Sequence, residues 1–276
     1  MRILICTDGS FAAEQAALLV TRLGFPEETE YTVLGVSESD GDQVVLTTAF
    51  DRIEQLLGGP GPSIQRLMRY GNAADQIKDE AEAGNYDLVA LGAKGHPHGI
   101  IGPRIGSTVN KSIRILTIPI CIARNVPEKL ERILICTAAE DFSLETLRAG
   151  GRLLTGTQAE IHLLHVMSQV ALRLDSPSAD LRDTAETAIR RGTREGRHLE
   201  RGLDLLEQAG ISNPVMPALR HGLVVDEVLS ETVEGHYDLL VIGGHFQEGR
   251  IHWIEFLLDD VSGQLLKKSP CSVMII

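Results

Sequence analysis

The sequence predicts an α/β protein built as two tandem, doubly wound, five-stranded parallel-sheet domains. Three observations carry that prediction. Arg2-Ile3-Leu4-Ile5-Cys6-Thr7 recurs unchanged as Arg132-Ile133-Leu134-Ile135-Cys136-Thr137, an offset of 130. Tyr86-Asp87-Leu88-Val89-Ala90-Leu91-Gly92 is matched by Tyr237-Asp238-Leu239-Leu240-Val241-Ile242-Gly243 at an offset of 151, as Pro119 is by Pro270. Within the first copy, short apolar runs alternate with segments of helical period, the pattern of a parallel sheet covered on both faces.

The elements of copy one follow in order. Ile3–Cys6 is a continuous apolar run, as expected of a strand buried on both faces. Phe11–Leu23 places Ala13, Ala16, Ala17, Val20 and Leu23 at helical spacing. Tyr31–Val36 reads as a second strand and Val44–Leu57 as a helix that stops at Gly58-Gly59-Pro60. Ile64–Arg69 is a third strand. Asn72, with Asp75 three residues on, offers an N-cap to a helix reaching Ala83. Leu88–Leu91, a helix over Ser107–Leu116 and a strand over Ile118–Ala123 complete the unit.

Copy two repeats the plan. Val33-Leu34-Gly35-Val36 is matched by Leu163-Leu164-His165-Val166 at the offset of 130, so 21 extra residues enter between Val166 and Tyr237. Their place is Leu181–Ala209, a charged, proline-free stretch that reads as one long helix, with Gly192 and Gly196 as points of interruption. Arg124–Leu130 reads as a short, semi-rigid linker. Domains are therefore expected at 1–126 and 131–276.

A net charge of −12 argues against a nucleic-acid partner and against an anionic membrane. No apolar run is long enough to span a bilayer, and the N-terminus reads as a strand, so a cytoplasmic location is expected. Cys6, Cys121, Cys136 and Cys271 form no CxxC pair and read as buried hydrophobes in a reducing compartment.

In open parallel sheets ligands bind beyond the carboxyl ends of the strands. There copy one places Thr7-Asp8-Gly9-Ser10, and, after its fourth strand, the glycine-rich loop from Gly92 through Lys94, Gly95, Gly102 and Gly106 to Ser107-Thr108. Glycines let backbone approach a ligand, and a helix N-terminus favours an anion. Such a loop also serves as a plain connection, Ser107 also reads as an N-cap, and Asp8 as a cap for the following helix. Other chemistry is less supported. His96-Pro97-His98 lacks further ligands for a metal. There is no GxxxxGK[ST], no GxGxxG after the first strand, no GxSxG at Ser10 and no base poised beside a nucleophile. Trp253 and Phe256 read as core or interface.

At these residues the chain resembles the universal stress protein family. The resemblance rests on Ile3-Leu4-Ile5-Cys6-Thr7-Asp8-Gly9-Ser10, on Tyr70-Gly71-Asn72-Ala73-Ala74-Asp75-Gln76-Ile77 followed by Tyr86-Asp87-Leu88-Val89, and on the glycine loop with Ile118-Pro119-Ile120-Cys121-Ile122-Ala123. It implies adenine nucleotide alpha hydrolase-like domains. One branch of the family binds ATP or AMP through G-x2-G-x9-G-[ST]. Here Gly92-x2-Gly95-x10-Gly106-Ser107 is one residue longer, and Val109 stands where the family often has Ser or Thr. Carried over by position, Asp8 would meet the ribose and the backbone near Val36 the adenine, with Thr7 lining the pocket and Leu91 among the nucleotide-binding residues. Gly92, Lys94, Gly95, Gly106, Ser107 and Thr108 would surround the phosphates, with Mg2+ or Mn2+ bridging phosphate oxygens.

Copy two departs from the pattern. Ala138 replaces Asp8, Phe246 replaces Gly95, and Leu257 and Leu258 replace Gly106 and Ser107, so it is expected to keep the fold and lose the site. The resemblance also implies that the fifth strands, Ile118–Ala123 and Ser272–Ile276, meet edge to edge in an intramolecular pseudo-dimer, with a homodimer as a further assembly. Two functions follow as expectations. One is a stress-response switch in which ATP or AMP orders the loop from Gly92 to Gly106, with at most slow hydrolysis. The other is a scaffold that binds protein partners and no nucleotide.

Overall fold

The computed structural model describes residues 1–37, 42–58, 63–93, 105–138, 141–168, 184–244 and 261–276. Copy one runs β1 (Arg2–Thr7), α1 (Phe11–Arg22), β2 (Glu30–Ser37), α2 (Asp42–Leu56), β3 (Ser63–Tyr70), α3 (Ala73–Gly84), β4 (Leu88–Gly92), α4 (Ser107–Ile115) and β5 (Ile120–Ala123). Copy two runs β6 (Arg132–Thr137), α5 (Asp141–Leu153), β7 (Glu160–Ser168), α6 (Ala185–Arg191), α7 (Arg194–Gln208), β8 (Val215–Gly222), α8 (Val224–Glu234), β9 (Leu239–Ile242) and β10 (Ser272–Ile275). A further helix, α9, covers 261–268.

The strands join into one ten-stranded sheet of order β3-β2-β1-β4-β5-β10-β9-β6-β7-β8. Each half is parallel. The halves meet through one antiparallel pair, with Ile120 opposite Ile275, Cys121 opposite Met274 and Ile122 opposite Val273. Both fifth-strand edges are thus covered within the chain, and the pairing satisfies backbone groups that an open edge would leave bare. Two apolar layers flank the sheet, and both run through both halves. One packs Leu19 and Val20 of α1 and Leu147 of α5 onto Ile3, Ile5 and Ile133. The other packs Ile77 of α3, Ile113 of α4 and Val228 of α8 onto Leu4, Val89 and Leu240. Inner strands such as β1 are buried on both faces, whereas the outer strand β3 alternates toward solvent.

Local chemistry sets the element ends. Asn72 caps α3 by accepting from the Asp75 N–H at 3.3 Å. The fifth strand begins at Ile120, two residues later than the apolar run suggests: Pro119 has no N–H for the ladder, although its carbonyl accepts from Val89 at 2.9 Å. The linker is pinned. Arg124 N–H donates to Ser272 Oγ at 3.1 Å, Asn125 Nδ2 to the Pro270 carbonyl at 3.1 Å, and Val126 N–H to Gln15 Oε1 at 3.0 Å.

The helical stretch of copy two is broken at Gly192, the first of the two interruption points read from the sequence, into α6 and α7. Gly192 takes the left-handed conformation at φ 61° and ends α6, its N–H returning to Ala188 and Ile189. Thr193 then caps α7 by accepting from Gly196 N–H at 3.1 Å. A β-carbon on Gly196 would collide with the Ala188 carbonyl, so this second glycine lets the two helices cross. Leu181 and its two followers, with Trp253 and Phe256, lie outside the described residues.

The cysteines are free thiols; Cys6, Cys121 and Cys271 are buried and Cys136 partly so. Among the described residues no helix is long and apolar enough to cross a membrane.

Candidate functional site

The strand order reverses at β1 and β4, so their carboxyl ends open a crevice at the topological switch point. A cavity of about 460 Å³ occupies it. Of the site residues expected from sequence, Thr7, Asp8, Val36, Leu91, Gly92, Gly106, Ser107 and Thr108 all line this one cavity. Lys94 and Gly95 lie outside the described residues, as does His96-Pro97-His98.

The turn after β1 is built by its own side chains. Thr7 Oγ1 accepts from Gly9 N–H at 3.1 Å, and Asp8 Oδ1 accepts from Ser10 N–H at 3.0 Å. Gly9 sits at φ +80°, with Val45 of α2 packed where a β-carbon would go. Asp8 is therefore the head of a tight turn, and Ser10 is the cap of α1, accepting from Ala13 N–H at 3.3 Å. At the end of β4, a β-carbon on Gly92 would collide with the Ala12 carbonyl. The first turn of α1 thus requires glycine there on packing grounds, apart from any ligand.

The start of α4 also borders the cavity. Its N-cap is Gly106 and not Ser107, and Gly106 supplies no side-chain cap. Ser107 and Thr108 fall in the first turn, where backbone N–H groups have no partner inside the helix and carry the positive end of its dipole. These residues border the cavity, so the arrangement suits an anionic group. α4 is tied to α3 by Lys111, whose Nζ lies 2.7 Å from Asp75 Oδ1 and 3.2 Å from Asn72 Oδ1.

Beyond Val36 and Leu91, the cavity has apolar lining that no sequence motif marks. Leu34 joins Val36 on the same face of β2, as an i, i+2 pair must. Ala73 and Ile77 join from α3, one helical turn apart, and Cys6 and Val109 close the floor. Burial, with Glu80 as the second cause, pushes the Cys6 thiol well above its usual range, so it stays protonated. Phe11 stands at the mouth, 74% exposed. A lone aromatic at a helix start carries no periodic signal that would have marked it. Among the described lining residues Asp8 is the one charged side chain.

The matching corner of copy two is organised differently. Thr137 holds the place of Thr7, and Ala138 that of Asp8, so the carboxylate is gone. His165, at the place of Gly35, bonds through Nδ1 to the Thr137 carbonyl at 3.0 Å. His198 of α7 bonds through Nε2 to Thr137 Oγ1 at 2.9 Å, and the two imidazole centroids lie 5.3 Å apart. Burial, then His165, Arg201 and Arg194, push the His198 pKa down to about 4. The replacements Phe246, Leu257 and Leu258 lie outside the described residues. No cluster of three or more His, Cys, Asp or Glu side chains suited to a metal occurs among the described residues.

The model of the universal stress protein family matches residues 1–124 and 129–276. Two solved structures share the fold over nearly the whole chain. One is a universal stress protein from Archaeoglobus fulgidus DSM 4304, 19% identical, covering 99% of this chain and 97% of that one, with a TM-score of 0.69. The other is a putative universal stress protein from Pseudomonas aeruginosa UCBPP-PA14, 14% identical, covering 100% and 92%, with a TM-score of 0.68. Among curated proteins no sequence matches.

Proposed function

The chain belongs to the universal stress protein family, matched across both of its copies, and on that premise we propose that the first copy binds ATP or AMP as a stress-response switch. The observation that carries the reading is convergence. Eight residues drawn from four separate segments line one cavity, among them the Asp8 carboxylate and the N-terminal residues of α4.

The residues fit the proposed ligand by parts. Leu34, Val36, Ala73 and Ile77 offer apolar walls to a base. The Asp8 carboxylate accepts hydrogen bonds from ribose hydroxyls. The first-turn amides of α4, with the hydroxyls of Ser107 and Thr108, take phosphate oxygens. A divalent ion, Mg2+ or Mn2+, would supply charge compensation between phosphates and is held by the nucleotide itself. We read the site as one for binding rather than turnover, since no described lining residue forms a base and nucleophile pair. The second copy is read as a partner in the fold without a nucleotide of its own, because Ala138 offers no ribose acceptor and the Thr137 hydroxyl is engaged by His198.

A scaffold without nucleotide is the rival reading. What favours it is that Asp8 is the one charge among the described lining residues. Thermal unfolding separates the two. A ligand that binds the native state raises the melting temperature as its concentration exceeds Kd. ATP or AMP is expected to do so for the wild type and not for Ala73→Leu, which fills the base end of the cavity. No shift in the wild type at millimolar nucleotide would leave the scaffold reading standing.

A further inference from the structure

We propose that the elbow between α6 and α7, which the first copy lacks, is a docking surface for a short acidic segment of a partner protein. The chain carries a net charge of −12, yet between residues 190 and 201 five arginines face two glutamates. Arg190, Arg191, Arg194, Arg197 and Arg201 are all exposed. Their placement follows from the fold. Ala188, Gly196 and Leu199 are buried inward, so the arginines are left on the outer side. The left-handed turn at Gly192 brings the end of α6 against the start of α7, with Thr193 N–H bonded to the Ala188 carbonyl at 3.1 Å. Arg197 in turn donates to the Gly192 carbonyl, which fixes its guanidinium beside the elbow.

The spacing suits an extended peptide. Arg194, Arg197 and Arg201 stand at i, i+3 and i+7, one stripe roughly 10 Å long at about 1.5 Å per residue. An extended chain sets alternate side chains about 7 Å apart, so a stretch of four or five residues spans the stripe with carboxylates in reach. Guanidinium forks pair with carboxylates two bonds at a time. The same field reaches inward: Arg201 and Arg194 are among the causes that hold down His198, which faces them with His165 and Glu195.

Charge also selects the partner class. The remainder of the chain is more acidic than the whole, so a long polyanion such as a nucleic acid would be repelled outside the elbow. A short acidic segment confined to the elbow meets a local excess of positive charge, five arginines against Glu195 and Glu200. The proposal is independent of the nucleotide pocket, which lies in the other copy.

The test is fluorescence anisotropy on the full chain with a labelled oligoglutamate of about six residues. Wild type is expected to bind at about 50 mM salt and to lose roughly tenfold or more of that affinity by about 300 mM, as the Debye length shortens. The variant Arg190→Gln/Arg194→Gln/Arg197→Gln, with its melting temperature unchanged, is expected to bind about tenfold more weakly at low salt. The paired variant Arg191→Gln/Arg201→Gln serves if that melting temperature falls, with the same loss expected. Equal binding by variant and wild type, no binding by wild type at low salt, or tighter binding of a six-residue oligothymidylate than of oligoglutamate would each overturn the proposal.

Discussion

The turn after α1 and the turn after α5 meet through Gly24 and Gly156, whose backbones approach so closely that a β-carbon on either would collide with the other's carbonyl oxygen. Gly24 also sits at φ +69°, a conformation that favours glycine. The two copies therefore touch at a point that tolerates no side chain, beside an apolar layer shared across both halves.

Gly156→Ala is expected to destabilise the whole chain by about 2–3 kcal/mol, because backbone and not a flexible side chain must give way. Urea denaturation reads this as a lower midpoint with an unchanged slope. A loss below about 0.5 kcal/mol would mean that the turns can part freely.

Residues 1–126 expressed alone are expected to self-associate. Without β10, the β5 edge is open and Cys121 and Ile122 lose their antiparallel partners. Sedimentation velocity should find a dimer or larger species; a stable monomer would show that the sheet junction is dispensable.

Much of this was legible in the sequence, for identifiable reasons. The exact recurrence of Arg2–Thr7 at Arg132–Thr137 marks the first strand of each copy, and both pair in the same way with their neighbours. The Asn72 cap and the position of Asp8 beyond β1 followed from local chemistry. The insertion was less legible: Gly192 and Gly196 both interrupt a helical pattern, and only three-dimensional packing assigns the break to the first and the close crossing to the second. The start of α4 at Ser107 was legible, whereas the choice between Gly106 and Ser107 as its cap was not, because both are acceptable caps. Gly92 was expected at the ligand and lines the cavity, while the packing demand made by Ala12 has no signal in the sequence. The apolar walls Ala73 and Ile77 come from a helix distant in sequence from the glycine loop, and no spacing rule links the two.

Each copy also carries the same polar latch, buried in the first copy and part-buried in the second. Glu80 accepts from Tyr86 Oη at 2.7 Å and pairs with Arg69; Glu231 accepts from Tyr237 Oη at 3.0 Å and pairs with Arg220. Glu80→Ala leaves both partners wanting an acceptor and is expected to lower stability by about 2–3 kcal/mol, and Tyr86→Phe by about 1 kcal/mol. Thermal unfolding of the two variants checks the order; equal losses would contradict it.

Acid is expected to weaken copy two through its histidines. His198 is held down to about 4 and His165 is lowered too, chiefly by burial. The unfolded chain therefore binds more protons than the native one once pH drops below about 6.5. Their contribution is full above that pH and is lost as pH falls toward 4. Discounted for the partial exposure of His198, that ring accounts for about 1–2 kcal/mol. Stability measured from pH 7 to 4 should fall less steeply in His198→Gln; an unchanged slope would contradict the assignment.

The central claim is that the pocket of copy one is a nucleotide site. Isothermal titration of ATP and AMP with Mg2+ into the wild type and Asp8→Ala tests it most directly. One site per chain is expected in the wild type and none detectable in the variant, with the variant still folded. Heat from two sites per chain, equal binding by Asp8→Ala, or no binding by the wild type at millimolar nucleotide would contradict it.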